Sequence, residues 1–383
     1  MLFYILISCT AAFLAFLALR KLFPLLINCF DKANTNNRYV LPADYERPKY
    51  YVINKSGTAD TARKWPGWDG WYFLTLLDSQ DPAQLIRGSI MTGMYGIEGI
   101  DNYENLMLSI STDNVIECLF MLPQPEVTLL SHEYIIKHLN LHMQTDSLKV
   151  KVTGRGEIAG KWPVYTFLLS NPQDELTLSL QYRAQNVIWW ADLPGFFTYF
   201  TTFGHMDGEL KQNGQVLKKI SSVGCFEHGY ARKWFDYDPL FLPVRLWKRL
   251  FPVNVAEYHY DLLFTDEGMH GGMMRTKGFG IELRNRGGIY LPGGEYVKIK
   301  NIKSIVYEGP KLIENNCTAK PVTFYEQWRV KAKTEKGILS YTAKQVYPSV
   351  HVAKHMIFYS FVFEGMLGDQ KLKGKGYGEY ARI

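Results

Sequence analysis

The stretch "MDGELKQNGQVLKKISSVGCFEHGYARK" at residues 206–233 returns in shorter form as "FEGMLGDQKLKGKGYGEYARI" at residues 363–383. Both copies run from an acidic residue, Gly, one further residue and Leu through a polar turn and a lysine-bearing strand to Tyr-Ala-Arg. Apolar and polar residues that alternate around a polar turn indicate a β-hairpin. Two copies of one hairpin, about 150 residues apart, predict two similar β domains in tandem, each closed by this hairpin.

Other parts of the chain carry the same β patterning. Alternation of apolar and polar residues predicts strands at 178–190, 296–308 and 323–334. Paired glycines predict turns at 271–272, 287–288 and 293–294.

The composition supports a large β protein with apolar binding surfaces. Of the 383 residues, 47% are hydrophobic and 15% aromatic, and large rings suit both β-sheets and the walls of apolar pockets. The 43 basic and 37 acidic residues are spread along the chain, so no nucleic acid partner is expected. The five cysteines form neither a disulfide framework nor a Cys-x-x-Cys zinc spacing.

The N-terminal stretch Met1–Leu19 carries no charged side chain. At about 1.5 Å per residue, a helix of this length crosses most of a ~30 Å hydrocarbon core, which predicts a transmembrane anchor. A cleaved signal peptide is the alternative, but no basic segment precedes the apolar run and no clean Ala-x-Ala site follows it. We therefore expect one membrane helix.

Charges and sequons bear on the side of the membrane that holds the globular part. Arg20, Lys21 and Lys32 follow the apolar stretch and no basic residue precedes it, so the positive-inside tendency favours the cytosol. Asn54 and Asn316 begin triplets that are glycosylation signals in a lumen. A cytosolic location is the prediction, and a lumenal one stays open.

Three short motifs follow one another along the chain. They are "WDGWYF" at 68–73, the set Gly208-Glu209-Leu210, Gly224, Phe226 and Glu227-His228, and "GKGYGEY" at 374–380. In this order they resemble the opening strand, the closing motif and the C-terminal strand of the AttH-like and carotenoid 1,2-hydratase family. Glu227 stands where the family has Asp, and Gly229-Tyr230 replaces its aromatic-Gly pair.

The resemblance spans roughly residues 60–383 and implies two lipocalin-like β-barrels in tandem, in agreement with the repeat. The family includes hydratases that act on isoprenoid double bonds, fungal cyclases, and a yeast survival-factor group linked to sphingolipids. These proteins share an apolar ligand held inside or between two barrels. The fold does not choose among these chemistries.

The predicted fold class is therefore mainly β, with two tandem lipocalin-like β-barrels preceded by an N-terminal transmembrane helix. The first barrel is expected within 67–237 and the second within 257–383. Residues 1–30 form the predicted anchor, 31–66 a tether and entry loop, and 238–256 a connector.

Glu227 and His228 are the strongest candidates for chemistry. Neighbours in a strand point to opposite faces, so only one of them faces a barrel interior unless a bulge intervenes. A buried Glu can act as a general acid, and a buried His can protonate a double bond or orient water. The alternative is a structural role, in which the pair ties the hairpin to a neighbouring loop.

Aromatic side chains near the ends of predicted strands supply candidate ligand contacts. One residue of each adjacent pair is expected to face inward, either to line a pocket or as ordinary core packing. The candidates are Trp71, Tyr72, Trp189, Trp190 and Tyr230.

Two histidine pairs have the i, i+4 spacing of metal ligands, His138 with His142 and His351 with His355. Neither pair has a third ligand or an HExxH context, so we expect no metal. The sequence contains no P-loop and no Gly-x-Ser-x-Gly elbow, so no cofactor is expected either.

Two functions follow as hypotheses. The first is a membrane-tethered protein that binds or transfers a lipid or isoprenoid in its double barrel without changing it. The second is an enzyme of the hydratase, isomerase or cyclase kind that uses Glu227 or His228 on an isoprenoid or polyene. An interaction scaffold without such a ligand is a third reading.

Overall fold

The computed structural model describes residues 52–53, 59–60, 67–76, 85–93, 103–112, 115–122, 141–143, 148–152, 156–171, 175–193, 197–232, 256–278, 281–313, 322–346, 350–353 and 356–382. All regular structure in these segments is β-strand, which confirms the mainly β prediction. The strands are β1 (Val52–Ile53), β2 (Ala59–Asp60), β3 (Gly67–Leu76), β4 (Leu85–Gly93), β5 (Tyr103–Thr112), β6 (Val115–Leu122), β7 (Leu141–Met143), β8 (Leu148–Val152), β9 (Gly156–Lys161), β10 (Val164–Asn171), β11 (Leu176–Leu193), β12 (Phe197–Gln212), β13 (Gln215–Arg232), β14 (Ala256–Thr265), β15 (His270–Gly278), β16 (Ile281–Tyr290), β17 (Tyr296–Ile313), β18 (Val322–Thr334), β19 (Gly337–Gln345), β20 (Val350–Ala353), β21 (Met356–Leu367) and β22 (Gln370–Arg382).

The first unit is a 13-stranded sheet in the order β1-β2-β7-β8-β9-β10-β11-β12-β13-β3-β4-β5-β6. It curls around a core of its own. Phe73 of β3 stacks on Phe167 of β10 with 4.5 Å between ring centroids, and Tyr165 of β10 lies 4.6 Å from Phe226 of β13. Strands that are not neighbours in the sheet thus share one interior. Among the described segments, no strand pairing closes this sheet into a ring.

The second unit is an eight-stranded barrel. Its sheet runs β19-β18-β17-β16-β15-β14-β22-β21-β20, and a further pairing of β19 with β21 joins the ends and leaves β20 outside the ring. A barrel of eight strands is about wide enough for side chains to fill. Phe324, Trp328, Tyr359 and Tyr380 are buried in this core, in keeping with that width.

The repeated stretches form hairpins of the same kind, as predicted. Strands β12 and β13 meet at the turn Asn213-Gly214, and β21 and β22 meet at Gly368-Asp369. In each unit the last strand pairs antiparallel with an early one, β13 with β3 and β22 with β14. The two hairpins therefore close their units in the same way.

The register of β13 on β3 is equivalent to the register of β22 on β14. Glu227 stands directly opposite Tyr72, and Glu379 stands directly opposite Tyr260. In both strands a glycine lies three residues before the Glu, giving Gly-x-x-Glu in each copy. Each closing strand thus carries a Glu with a tyrosine as its cross-strand neighbour.

The two units pack against each other through a second apolar core. Successive side chains of a strand point to opposite faces, so β14 contributes Leu263 to the barrel interior and Leu262 to the outside. The outward residues of β14 meet side chains of β3, β12 and β13. This inter-unit core consists of Leu74, Tyr199, Phe203, Cys225, Tyr260, Leu262, Phe264, Met274 and Tyr377. Each large buried apolar side chain contributes roughly 1.5–3 kcal/mol, so this core stabilises the contact between the two units.

The glycine pairs require one correction. Gly293-Gly294 lie in the turn between β16 and β17, as predicted, with φ of 93° and 88°. Gly271-Gly272 and Gly287-Gly288 instead lie within β15 and β16. A Cβ on Gly271 would lie 2.3 Å from the carbonyl oxygen of Gly288. These glycines therefore allow the two strands to approach closely rather than to turn.

The predicted anchor at 1–30 lies outside the described residues. Of the predicted tether at 31–66 the structure describes only 52–53 and 59–60, and of the predicted connector at 238–256 only residue 256. Within the described segments, no helix has the length and hydropathy needed to cross a bilayer.

Candidate functional site

The carboxylate of Glu227 lies at the boundary between the two units. Its side chain is 6% exposed and leaves β13 on the face that packs against the barrel. Three hydroxyl groups donate hydrogen bonds to it. Tyr199 reaches Oε2 at 2.8 Å, while Tyr260 and Thr201 reach Oε1 at 2.7 Å and 3.2 Å. Because Tyr260 belongs to the barrel, both units build the site.

The hairpin register positions the two donors from β12. Thr201 stands directly opposite Glu227, and Tyr199, two residues earlier, faces the same side of the strand. The Oγ1 of Thr201 also lies 3.0 Å from the hydroxyl of Tyr260 and 3.2 Å from that of Tyr199. Since both phenols donate to Glu227, the single proton of Thr201 has three acceptors within reach. The hydroxyl hydrogen of Thr201 can therefore turn from one acceptor to another without movement of the heavy atoms.

The phenols of the network are protonated at physiological pH. Burial raises the pKa of Tyr199 and of Tyr260 well above the ordinary value, and the negative charge of Glu227 raises it further. Both therefore act as hydrogen-bond donors that fix the carboxylate. Hydrogen bonds are stronger in such a water-poor surrounding. The arrangement suits general acid–base chemistry.

His228 faces the opposite side, into the interior of the first sheet. It is fully buried, and its ring stands edge-on to Phe200 at 5.7 Å. Phe226, two residues earlier on the same face, packs among the rings of that interior. The prediction that neighbours point to opposite faces therefore holds, and it is Glu227 that meets the second unit.

Four of the five predicted aromatic contacts occupy two cross-strand rows of the first sheet, and Tyr230 lies in another row, opposite Thr198 and Asp69. One row is Trp189, Thr201, Glu227 and Tyr72, and the next is Trp190, Phe200, His228 and Trp71. The side chains of Trp71, Tyr72, Trp189, Trp190 and Tyr230 lie outside the described part of the structure. Their role in binding stays a prediction. The side chains of His138, His142, His351 and His355 lie outside it as well.

A second polar contact between the units lies at His270 of β15. Its Nε2 accepts a hydrogen bond from the amide of Asn186 at 2.9 Å, and its Nδ1–H donates to the carbonyl of Gly268 at 3.3 Å. The ring stacks on Phe203 with 3.5 Å between centroids. Burial lowers the pKa of His270 to about 4, so the imidazole is neutral at pH 7.

The barrel interior holds a separate buried carboxylate, Asp261. Trp328 and Tyr341 donate to its Oδ2 at 3.0 Å and 2.6 Å, and Tyr359 donates to Oδ1 at 2.8 Å. The Nε2 of His259 lies 3.0 Å from Oδ2. Burial alone would raise the pKa of Asp261, but the charge of His259 and these hydrogen bonds outweigh it and lower the pKa. We interpret Asp261 as the structural centre of the barrel core.

A shallow groove of about 550 Å³ lies on the exposed surface of the first unit. Seven of its eleven lining residues are polar or charged, among them Thr166, Gln181 and Lys219, while Leu168 contributes exposed apolar surface. None of the predicted site residues lines it.

Sequence reasoning did not identify Tyr199, Thr201 or Tyr260 as site residues. The alternation in "TYFTTF" at 198–203 puts Tyr199 and Thr201 on one face, which is a usable signal once the pairing partner is known. Tyr260 has no comparable signal, because its partner lies in the other unit.

No family model matches the chain, and no curated protein matches its sequence. Solved structures do match in fold. An AttH protein from Nitrosomonas europaea aligns with a TM-score of 0.54 at 10% identity, covering 89% of this chain and 98% of that one. Kievitone hydratase from Nectria haematococca aligns with a TM-score of 0.55 at 10% identity, covering 91% and 95%. The chain shares the fold of these proteins, which confirms the resemblance drawn from the three motifs at the level of fold.

Proposed function

We propose that the protein is a hydratase- or lyase-type enzyme for an apolar, unsaturated substrate, with Glu227 as a proton-transferring group. The observation that carries this proposal is a carboxylate buried between two units and held by three hydroxyl donors. The fold shared with kievitone hydratase adds support, since that protein is a hydratase by name.

The chemistry follows from the position of Glu227. In hydration, the oxygen of water bonds to one carbon of the double bond, and the proton that this water releases passes to Glu227. The other carbon takes a proton from a second acid, which Glu227 then reprotonates. Dehydration is the reverse. A positioned general base or acid contributes about 10²- to 10⁴-fold to such a step. Tyr199, Thr201 and Tyr260 keep the carboxylate oriented throughout.

The second candidate function is binding and transfer of an apolar ligand at a membrane. One observation favours it: the apolar stretch Met1–Leu19 is long enough for an anchor. In this reading the first sheet also forms a lipocalin-like barrel, and residues 1–30 tether both units to the bilayer.

Native mass spectrometry after incubation with a membrane lipid extract separates the two candidates. The proteins compared are the wild type, Glu227→Gln, and Glu209→Gln as a control on the same hairpin. A product that differs from its precursor by one water, formed by the wild type and the control but not by Glu227→Gln, supports the enzyme. Retention of one unchanged lipid by all three supports transfer. If the spectra show no product and no retained ligand, both candidate functions are contradicted.

A further inference from the structure

We infer that Glu379 is a second proton-transfer group of the same site, paired with Glu227 through Tyr258 and Tyr260. The catalytic part of this inference rests on the proposed function. The pairing itself is a physical property of the contact between the units and can be measured without a substrate.

In the repeat, Glu379 of the second unit occupies the position that Glu227 occupies in the first. Both residues end a Gly-x-x-Glu pattern on the closing strand of their unit. Glu379 stands directly opposite Tyr260 in the pairing of β22 with β14, and directly opposed residues project from the same face of a sheet. Tyr260 projects from the barrel toward the first unit, where it meets Glu227. Glu379 therefore belongs to the same inter-unit face.

Each of the two carboxylates accepts a hydrogen bond from one of two neighbouring tyrosines of β14. Tyr258 donates a hydrogen bond to Oε2 of Glu379 at 3.3 Å, and Tyr260 donates to Oε1 of Glu227 at 2.7 Å. The two rings are neighbours on β14, with 6.4 Å between centroids and an interplanar angle of 37°. Burial raises the pKa of Tyr258, and Glu379 and Glu227 raise it further, so both carboxyl groups lie within electrostatic reach of one phenol.

The surroundings of the two carboxylates differ, which suits a division of roles. Glu227 is buried and accepts hydrogen bonds from Tyr199, Thr201 and Tyr260, which hold it as a proton acceptor. Glu379 is only partly buried, and Tyr258 lies at a longer distance from it. Two carboxyl groups in unlike surroundings are a common basis for one acid and one base.

The step balances with these two groups. Glu379, as the acid, gives its proton to one carbon of the double bond, and water bonds to the other carbon. The proton released by that water passes to Glu227. Proton return from Glu227 to Glu379 completes the cycle, so the net change is the addition of one water to the substrate.

Other titratable groups face the pair from the strands packed around it. Among the side chains that the structure describes, they include Tyr199 of β12, Cys225 of β13, Tyr258 and Tyr260 of β14, and Tyr377 of β22. A titration must therefore be assigned by difference between variants.

The test is a carbon-13 NMR titration of glutamate-labelled protein. It compares the wild type with Glu227→Gln, Glu379→Gln and a control, Glu364→Gln, whose side chain is 74% exposed on the same hairpin as Glu379. We expect removal of either paired carboxylate to lower the titration midpoint of the other by about one pH unit, because a like charge has been removed. The control should leave both midpoints in place. Unchanged midpoints in the paired variants would overturn the pairing.

Turnover is measured on the same proteins with kievitone and a linear isoprenoid as probes. Glu379→Gln should lower kcat about 100-fold and remove one limb of the pH–rate profile, while Glu379→Asp recovers part of the rate. Full turnover by Glu379→Gln would overturn its role as a proton-transfer group. If the wild type converts neither probe, the enzyme proposal is contradicted for these substrates, and the NMR titration still decides the pairing.

Discussion

The phenol of Tyr260 in the barrel donates a 2.7 Å hydrogen bond to Oε1 of Glu227 in the first sheet. The contact joins residues that lie on opposite sides of the connector in the sequence and on facing strands in the structure. It ties the candidate site to the packing of the two units, because neither unit alone supplies all donors to the carboxylate.

Replacing Tyr260 with Phe tests this contact. Loss of a hydrogen bond to a charged group should lower the free energy of unfolding by about 1.5–3 kcal/mol, measured by urea denaturation. A double-mutant cycle with Glu227→Gln should give a coupling energy of about 1–3 kcal/mol. Strict additivity of the two changes would show that the bond contributes nothing in solution.

The interface should also weaken in acid through His270. Its pKa is about 4 in the folded protein and 6.5 unperturbed, so the fold favours the neutral ring. Above pH 6.5 the ring is neutral in the folded and in the unfolded chain, so the shifted pKa does not lower the free energy of unfolding there. As the pH falls from 6.5 to 4, the unfolded chain takes up a proton that the folded protein does not, and stability declines by up to about 3 kcal/mol.

The measurement is the free energy of unfolding against pH for the wild type and His270→Gln. The variant removes the titrating ring, so its curve should be flatter between pH 6.5 and 4. Parallel curves for the two proteins would contradict a neutral, buried His270.

Asp261→Asn should destabilise the barrel. The amide cannot accept as many hydrogen bonds as the carboxylate that receives Trp328, Tyr341 and Tyr359, so we expect a loss of about 2–4 kcal/mol. The contribution is present above the unperturbed pKa of 3.8 and disappears as the pH falls through the lowered pKa of the folded protein. Asp207→Asn, at a side chain 63% exposed, is the control and should change stability little. Equal effects of both changes would argue against the buried network.

His228→Ala separates the two members of the original candidate pair. Because His228 is fully buried against Phe200, its truncation should lower stability by about 2–4 kcal/mol, read as a drop of several degrees in Tm. Ligand retention or turnover should be nearly unchanged, since Glu227 faces the other side of the strand. Loss of activity in His228→Ala with an unchanged Tm would instead show that His228 takes part in function.

Much of the fold could be predicted because local patterns control it. Alternation with period two identified the strands, and repetition of one hairpin identified the two units. The same period placed Glu227 and His228 on opposite faces. The turn predicted at Gly271-Gly272 was wrong, because paired glycines also occur inside strands where two backbones approach closely.

The partners of Glu227 could not be predicted, for two physical reasons. Counting back from the turn Asn213-Gly214 would pair Glu227 with Phe200, but a bulge at Leu217 shifts the register by one, so that Thr201 stands opposite. A shift of one residue exchanges the faces of a strand. Tyr260 is reached only when the outer faces of two units pack together, and no local period encodes that packing.

The most direct test of the account is the incorporation of heavy oxygen from labelled water into an unsaturated apolar substrate by wild-type protein, Glu227→Gln and Glu209→Gln. If the inter-unit carboxylate performs the chemistry, the wild type and Glu209→Gln should form labelled alcohol at the same rate, and Glu227→Gln should be slower by about 100-fold or more while remaining folded. Equal labelling by folded Glu227→Gln and wild-type protein would contradict the central claim.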